Sequence, residues 1–444
     1  MQRVRVGQWT KIVDAPRERI AGSLILAAAI LVAGCGELED VDLSETELRS
    51  QDRAETGGVD LEEDRVEPGD IPGHYIVMMD SRANPLAATA AVRATPTHVY
   101  NHAIRGFAGP LDARQLEALS RRQDVVRIER DQVVTAAELA CPGASPDPEI
   151  QLKSGSPDYA PAYSVDRCDQ RDLPFSNSYT YTWSGDGVNV YVFDTWMFTE
   201  HSDFDDPDDP NTSRASRGYD GYPNDPPDGE GCSGHATHVA GIIGGTKYGV
   251  AKDSNIISVK VLDCTGHGSW SRLIAGIDWV IDNKGDTAAV ANMSLSGRKS
   301  YIVNWAIGQL ADSGVFVAVA AGNNDANACN YSPAAAASSV AVAANNSGDQ
   351  RASFSNYGSC VDIYAGGTNV RSAWPDGGSR TASGTSMSSP HLAGVAALYK
   401  HAFGDEDWDQ IKSDIQTWAT PNKISGNPGG TPNLLLHWPC SGSM

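Results

Sequence analysis

The chain has 444 residues, with 34 Lys+Arg against 56 Asp+Glu for a formal net charge of −22. That is long enough for two or three domains and at least one large core, and so acidic a balance excludes nucleic acid and anionic membrane as natural partners. Gly (44) and Pro (24) are plentiful, which suits a loop-rich extracellular globule, and eight cysteines allow a few bridges without implying a disulfide-dense miniprotein.

In chain order, Arg3, Arg5, Lys11, Arg17 and Arg19 precede an apolar run over 20–33. The run is too short for a comfortable membrane span and suits an export signal. It closes Leu31-Val32-Ala33-Gly34-Cys35, which resembles a bacterial lipobox. Residues 1–34 would then be a lipoprotein-type signal peptide and Cys35 the lipid-accepting residue; the alternative is an ordinary export signal that contains a cysteine. Residues 35–70 are acidic and nearly free of aromatics, the composition of a disordered tether.

From 71 the pattern changes. Strands are expected over 75–79, 96–100, 106–109 and 125–134, with a helix over 112–120 that carries Leu116 and Leu119 on one face. Residues 71–136 thus read as a small α+β, ferredoxin-like unit, and the Pro-, Gly- and Ser-rich 137–161 as a connector. In 162–444, strands at 188–193, 255–262, 288–295 and 315–321 alternate with helices at 235–244, 271–283 and 301–313. Apolar strands alternating with helices predict an α/β fold, a parallel sheet flanked by helices in three layers, with its chemistry at the C-terminal strand ends.

Four separated stretches carry that chemistry. Asp194 follows the apolar strand in Phe193-Asp194-Thr195. His235 opens a helix in Gly234-His235-Ala236-Thr237-His238, and Asn323 ends Ala320-Ala321-Gly322-Asn323. Ser386 lies in Gly384-Thr385-Ser386-Met387-Ser388-Ser389-Pro390-His391, at the start of a small-residue helix whose first turn is expected to hold Pro390. A serine hydroxyl needs a base, the base a carboxylate to fix its tautomer, and the oxyanion preorganised donors. One candidate is present for each role, in the order Asp…His…Ser.

With Asn330-Tyr331-Ser332-Pro333 and Phe354-Ser355-Asn356-Tyr357-Gly358, these motifs resemble the subtilisin-like serine peptidases (subtilases), in particular the proteinase K-like branch and its aqualysin-like enzymes, over about 162–438. The 71–136 unit resembles their inhibitor-like propeptide, ending at Glu129 and Asp131. The resemblance implies a secreted endopeptidase made as a self-processed zymogen and cleaved within about 135–160. Ser386 would be the nucleophile, His235 the base, Asp194 its orienting carboxylate, and Asn323 with the Ser386 N–H the oxyanion hole. Ser294, Leu295, Ser296, Gly297, Ala321 and Gly322 would flank the primary pocket, and Gly266, His267 and Gly268 an edge strand to which peptide adds. Broad specificity with aromatic or aliphatic residues before the cut would follow. His238 is expected to be structural.

The same resemblance implies disulfides Cys232–Cys264 and Cys329–Cys360, leaving Cys141, Cys168 and Cys440 as one pair and one odd thiol, with Cys168–Cys440 as one option. It also implies structural calcium: at Asp166, Asp169 and Gln170, where Ser176 stands in place of a further acid; at Asp220 and Asp225; and at Asp362 with the carbonyls of Ala337 and Ser339. The acidic run 203–209 is expected to be a solvated loop, with calcium binding the alternative. No catalytic metal is implied. The partners would be protein substrates and the chain's own propeptide, with a membrane reached only through a precursor lipid anchor and a monomeric mature enzyme. Two departures motivate a rival reading, a catalytically impaired surface lipoprotein that acts as a binding module. Trp196 replaces the glycine of the family's Asp-Thr-Gly, and Ala236 replaces the glycine of its His-Gly-Thr-His. A third reading keeps the triad in a dedicated processing protease.

Overall fold

The computed structural model describes residues 67–137, 162–225 and 233–439. Cys35, Cys141, Cys232 and Cys440, most of the acidic tether and the connector beyond Ala137 lie outside the described residues. Among those described, no helix is long and apolar enough to cross a membrane.

The N-terminal unit comprises β1 (Asp70–Met79), α1 (Pro85–Val92), β2 (His98–Tyr100), β3 (Gly106–Pro110), α2 (Ala113–Ser120) and β4 (Val125–Ala136). Helix α1 is absent from the sequence expectation: Asn84 caps it and Pro85 begins it, but its alanines carry little amphipathic signal. Helix α2 starts at a capping box, Asp112 receiving the Gln115 N–H while the Gln115 side chain takes the Asp112 N–H. Side chains alternate across β1. Val77 and Met79 pack with Leu116 and Leu119 beneath the unit's own helices, whereas Ile76 and Met78 face the other way and join the core of the larger domain. The two parts belong to one compact unit.

The larger domain opens with a short helix, α3 (Tyr163–Asp166), then β5 (Asn189–Asp194), β6 (Ala215–Asp220), α4 (His235–Gly244), β7 (Asn255–Lys260), β8 (His267–Ser269), α5 (Trp270–Asn283), β9 (Ala289–Met293), β10 (Leu295–Arg298), α6 (Tyr301–Asp312) and β11 (Val315–Ala320). It continues with β12 (Tyr331–Ser332), β13 (Val340–Asn345), β14 (Ile363–Gly366), the hairpin β15 (Val370–Ala373) and β16 (Ser379–Ala382), α7 (Thr385–Phe403), α8 (Trp408–Trp418), β17 (Thr420–Pro421) and β18 (Leu434–Leu435). Nine strands form a mostly parallel sheet ordered β17-β18-β14-β13-β11-β9-β5-β7-β6. Tyr191 and Phe193 of β5 enter a core shared with α5 and α6. Val190 and Val192 enter a second core shared with α4 and α7. This is the three-layer arrangement expected. The expected strand 288–295 divides in two, because Ser294 interrupts it: β9 belongs to the main sheet, and β10 peels away to pair elsewhere.

Pro390 is not in the first turn of α7. The helix begins at Thr385, so Pro390 is its sixth residue. A proline there cannot donate to the carbonyl four residues back, that of Ser386. The Ser294 hydroxyl donates to that carbonyl at 2.9 Å instead.

Candidate active site

Asp194 ends β5, His235 starts α4 and Ser386 is the second residue of α7. All three are fully buried. His235 Nδ1 lies 2.8 and 2.7 Å from the two Asp194 carboxylate oxygens, and the Thr195 N–H donates to Asp194 Oδ1 at 2.6 Å. The carboxylate therefore fixes the ring with Nδ1 as donor and Nε2 as its acceptor nitrogen, the tautomer a general base needs. The Ser386 hydroxyl donates to the Ser294 carbonyl at 3.1 Å. Together with the Ser294–Ser386 bond described above, this ties the nucleophile's turn to the start of β10 at two points.

Strand β4 runs between β8 and β10 and is antiparallel to both. Val133, Val134 and Thr135 face Ser269, Gly268 and His267, while Thr135 and Ala136 face Ser296 and Leu295. Two further backbone bonds carry the chain into the site: Ala136 N–H to the Gly266 carbonyl at 2.9 Å and Ala137 N–H to the Ser294 carbonyl at 3.0 Å. The Ala137 carbonyl then accepts from the Asn323 side-chain amide and, at 3.4 Å, from the Ser386 N–H. Thr385 orients that amide, its N–H and hydroxyl donating to Asn323 Oδ1 at 2.9 and 2.8 Å. Of the expected groove residues, Gly266, His267, Gly268, Ser294, Leu295 and Ser296 bracket this inserted strand and Gly297 borders the cavity beside its end, whereas Ala321 and Gly322 bond elsewhere, to the Val342 carbonyl and the Thr385 hydroxyl. The role of Thr385 is not legible in the sequence, because nothing in its local pattern reveals a partner 62 positions away.

A family model described as "Subtilase family" matches residues 185–433, more than half of the chain, and one described as "Peptidase inhibitor I9" matches 78–137. The chain belongs to the subtilase family. It is 42% identical over 337 residues to the alkaline serine exoprotease A of Vibrio alginolyticus, an alignment covering 76% of this chain and 59% of that protein's length. It is 38% identical to an extracellular serine proteinase of Thermus sp. (strain Rt41A), covering 84% of this chain and 91% of the relative. A crystal structure of a cold adapted subtilisin-like serine proteinase superposes with a TM-score of 0.59 at 45% identity, over 63% of this chain and 98% of the other.

The two departures from the subtilase pattern leave the site intact. Neither Trp196 nor Ala236 has a positive φ, so the backbone strain a side chain would suffer in the left-handed region does not arise. Trp196 is buried, with the Arg217 guanidinium 4.9 Å from its ring centre. Gly322, which the resemblance places by the pocket, does need to be glycine: its φ is +100°, and a Cβ there would collide with the Asn356 amide. A cavity of about 370 Å³ opens beside Ala137, bordered by Ser296, Gly297, Asn323 and Tyr331. Gly297 lies against the Trp270 ring, with room for nothing larger.

The inhibitor-like unit of this subtilase is docked by carboxylates as well as by strand pairing. Glu129 accepts from the Ser300 hydroxyl and the Tyr301 N–H at the start of α6. Asp131 accepts from the Ser271 N–H and hydroxyl at the start of α5. Both satisfy N–H groups that a helix leaves open at its positive end. Sequence singled out these two acids, though not their partners.

His238 is structural, as expected: Nε2 donates to the carbonyls of Val370 and Arg380. Burial pushes its pKa down to about 4, and burial does the same to His391 in α7. Both are neutral when folded and take up protons near 6.5 when unfolded. Their contribution is therefore present above pH 6.5 and lost as pH falls from 6.5 towards 4, on the order of 3 kcal/mol for each ring. The urea midpoint of a Ser386→Ala chain should fall steadily over that window; a midpoint that stays flat from pH 7 to pH 4 would contradict this.

Cys329 and Cys360 are joined, with Cα atoms 5.2 Å apart. The bridge closes a loop worth on the order of 3–4 kcal/mol in the loop-entropy account. Cys264 is also disulfide-bonded, while its expected partner Cys232 lies outside the described residues. The Cys168 sulfur is buried, 3.2 Å from the Ser164 carbonyl. In the acidic run, Asp203 is not solvated: it is buried and accepts the Lys247 N–H at 2.6 Å.

The three expected calcium positions differ. Asp166 and Asp169 come together near Gln170. Asp166 accepts from Ser176 and Asn177, and Asp169 Oδ2 from the Thr180 N–H. Asp169 Oδ1 is buried without a hydrogen-bond partner, and burial, with Asp166 adding to it, pushes the Asp169 carboxyl up to about 6. An orphaned carboxylate oxygen beside a second acid fits a hard cation. Asp362 does not fit one: the Lys412 ammonium lies 2.8 Å from Oδ1, and Oδ2 accepts the Ala341 N–H at 2.8 Å. At the remaining position Asp220 is exposed and caps Tyr222, and Asp225 is taken by Lys260 at 2.8 Å.

Proposed function

We propose that this subtilase is a secreted serine endopeptidase, made as a zymogen whose propeptide occupies its own active site. The observation that carries the proposal is the Ala137 carbonyl, held jointly by the Asn323 amide and the Ser386 N–H. That is where the carbonyl of a bond to be cut belongs. In this reading Ser386 Oγ turns from Ser294 to His235 Nε2, which takes its proton as the oxygen attacks. Asp194 stabilises the imidazolium, and the two donors receive the oxyanion. His235 then protonates the leaving amine, and water repeats the cycle on the acyl-enzyme.

Strand addition by backbone alone, with an open pocket beside the residue before the cut, supports broad specificity for aliphatic or aromatic side chains there. Structural calcium at Asp166, Asp169 and Gln170 belongs to the same reading; it would hold the N-terminal loop of the catalytic domain and supply no catalytic chemistry. The lipid-accepting Cys35 and the tether would keep the precursor on a membrane, and the mature enzyme would act away from it as a monomer.

A fluorophosphonate probe tests the enzyme against the rival binding module. The processed wild type should be labelled stoichiometrically and Ser386→Ala not at all. Folded, processed wild type that resists labelling would favour the binding module.

A further inference from the structure

We infer that two of the three cation positions implied by the family resemblance are filled by the chain's own lysine ammonium groups and take no metal ion, an inference that rests on the calcium reading of Asp166, Asp169 and Gln170 given above. Asp362 precedes β14, and Lys412 reaches it from α8, 50 positions along the chain, with Nζ 2.8 Å from Oδ1. The other oxygen is spent on the Ala341 N–H. Both oxygens are therefore engaged, and the charge of the carboxylate is balanced on the spot. A divalent ion needs six or more oxygens and repels an ammonium, so the two cannot share this carboxylate.

Lys260, the last residue of β7, repeats the arrangement. It is 2% exposed, a degree of burial at which lysine persists only when paired. Its ammonium donates to Asp225 Oδ2 at 2.8 Å and to the Leu262 carbonyl at 2.9 Å, and it lies 5.0 Å from the centre of the Tyr222 ring. A carboxylate, a carbonyl and an aromatic face make a cage for a compact monovalent cation. Asp169 presents the opposite picture, with one buried oxygen that no group of the described residues meets. Among the described residues, no three acidic, histidine or cysteine side chains converge to form a metal cage of their own.

The consequence is a division of labour: metal removal should loosen the Asp169 loop and leave the regions around Asp362 and Asp225 untouched. The test uses the full Ser386→Ala chain, which cannot digest itself, with melting temperature read in excess chelator and in saturating calcium. The parent should show a calcium-dependent rise that Asp169→Asn abolishes. In the Asp169→Asn background, Lys412→Met and Lys260→Met should each melt lower in chelator and regain a calcium-dependent rise of at least about 2 °C. Lys412→Arg, which keeps the cation, should stay indifferent to calcium and guards against a methionine variant that fails to fold. A calcium response that survives in Asp169→Asn alone would overturn the inference. So would lysine-to-methionine variants that lose equal stability with and without calcium.

Discussion

N-terminal sequencing of the catalytic product that forms from wild-type precursor is expected to read Glu138 as its first residue. Among the described residues of this segment, Ala137 is the last whose N–H pairs with the groove, bonding to the Ser294 carbonyl at 3.0 Å, and its carbonyl is the one that Asn323 and Ser386 hold. The peptide bond beyond that carbonyl is therefore the one offered to Ser386. Ser386→Ala should leave the precursor whole, because removing the nucleophile of such a triad costs on the order of 10⁶ in turnover. Ala137→Pro, which abolishes the N–H to Ser294, should slow processing at least about tenfold without touching the triad. Since Cys35 lies before the cut, the product should also lack any acyl chain. A first residue other than Glu138, or acyl-Cys35 in the mature enzyme by mass spectrometry, would refute this.

Asp194→Asn is expected to lower kcat by about 10⁴ with little change in KM. Asp194 touches no part of the inserted strand; its neighbours are His235 Nδ1 and the Thr195 N–H. An asparagine that keeps its oxygen on Thr195 turns an amide N–H towards Nδ1, forcing the proton onto Nε2, where the base is needed. The result should appear in kcat alone, since substrate pairing with β8 and β10 is unchanged. A variant within tenfold of wild type would mean that Asp194 is not the orienting carboxylate, and would revive the question that Trp196 raises in the sequence.

What could be read without coordinates follows from how each feature is encoded. The three-layer fold is legible because apolar strands and small-residue helices alternate over long stretches. The site is legible because Asp194, Asn323 and Ser386 each sit at a strand end or helix start, places marked by Gly and by abrupt changes of pattern. Ala137 is not legible: it is held through its backbone alone, so any residue type could stand there. Lys412 and Lys260 are not legible for another reason. Each answers a carboxylate 35 or more positions away in sequence, and an exposed-looking lysine carries no mark of being an internal cation. Pro390 misled because a proline near a helix start is ordinarily read as first-turn, whereas here Ser294 supplies the bond that permits it one turn later.

The clamp around β4 has a wider meaning for the mature enzyme. Once the propeptide leaves, β8 and β10 would offer the slot that β4 fills here, which in the proposed function takes a peptide by edge pairing along several successive residues. A helix or a strand already paired within its own sheet cannot enter without giving up its internal bonds. In the proposed reading the slot therefore gauges how readily a target's backbone comes loose, in addition to the side-chain preference set by the pocket before the cut. Among folded proteins, those with frayed ends and slack loops would be cut first, and tightly knit ones spared, this enzyme's own bridged and internally charge-balanced body among them.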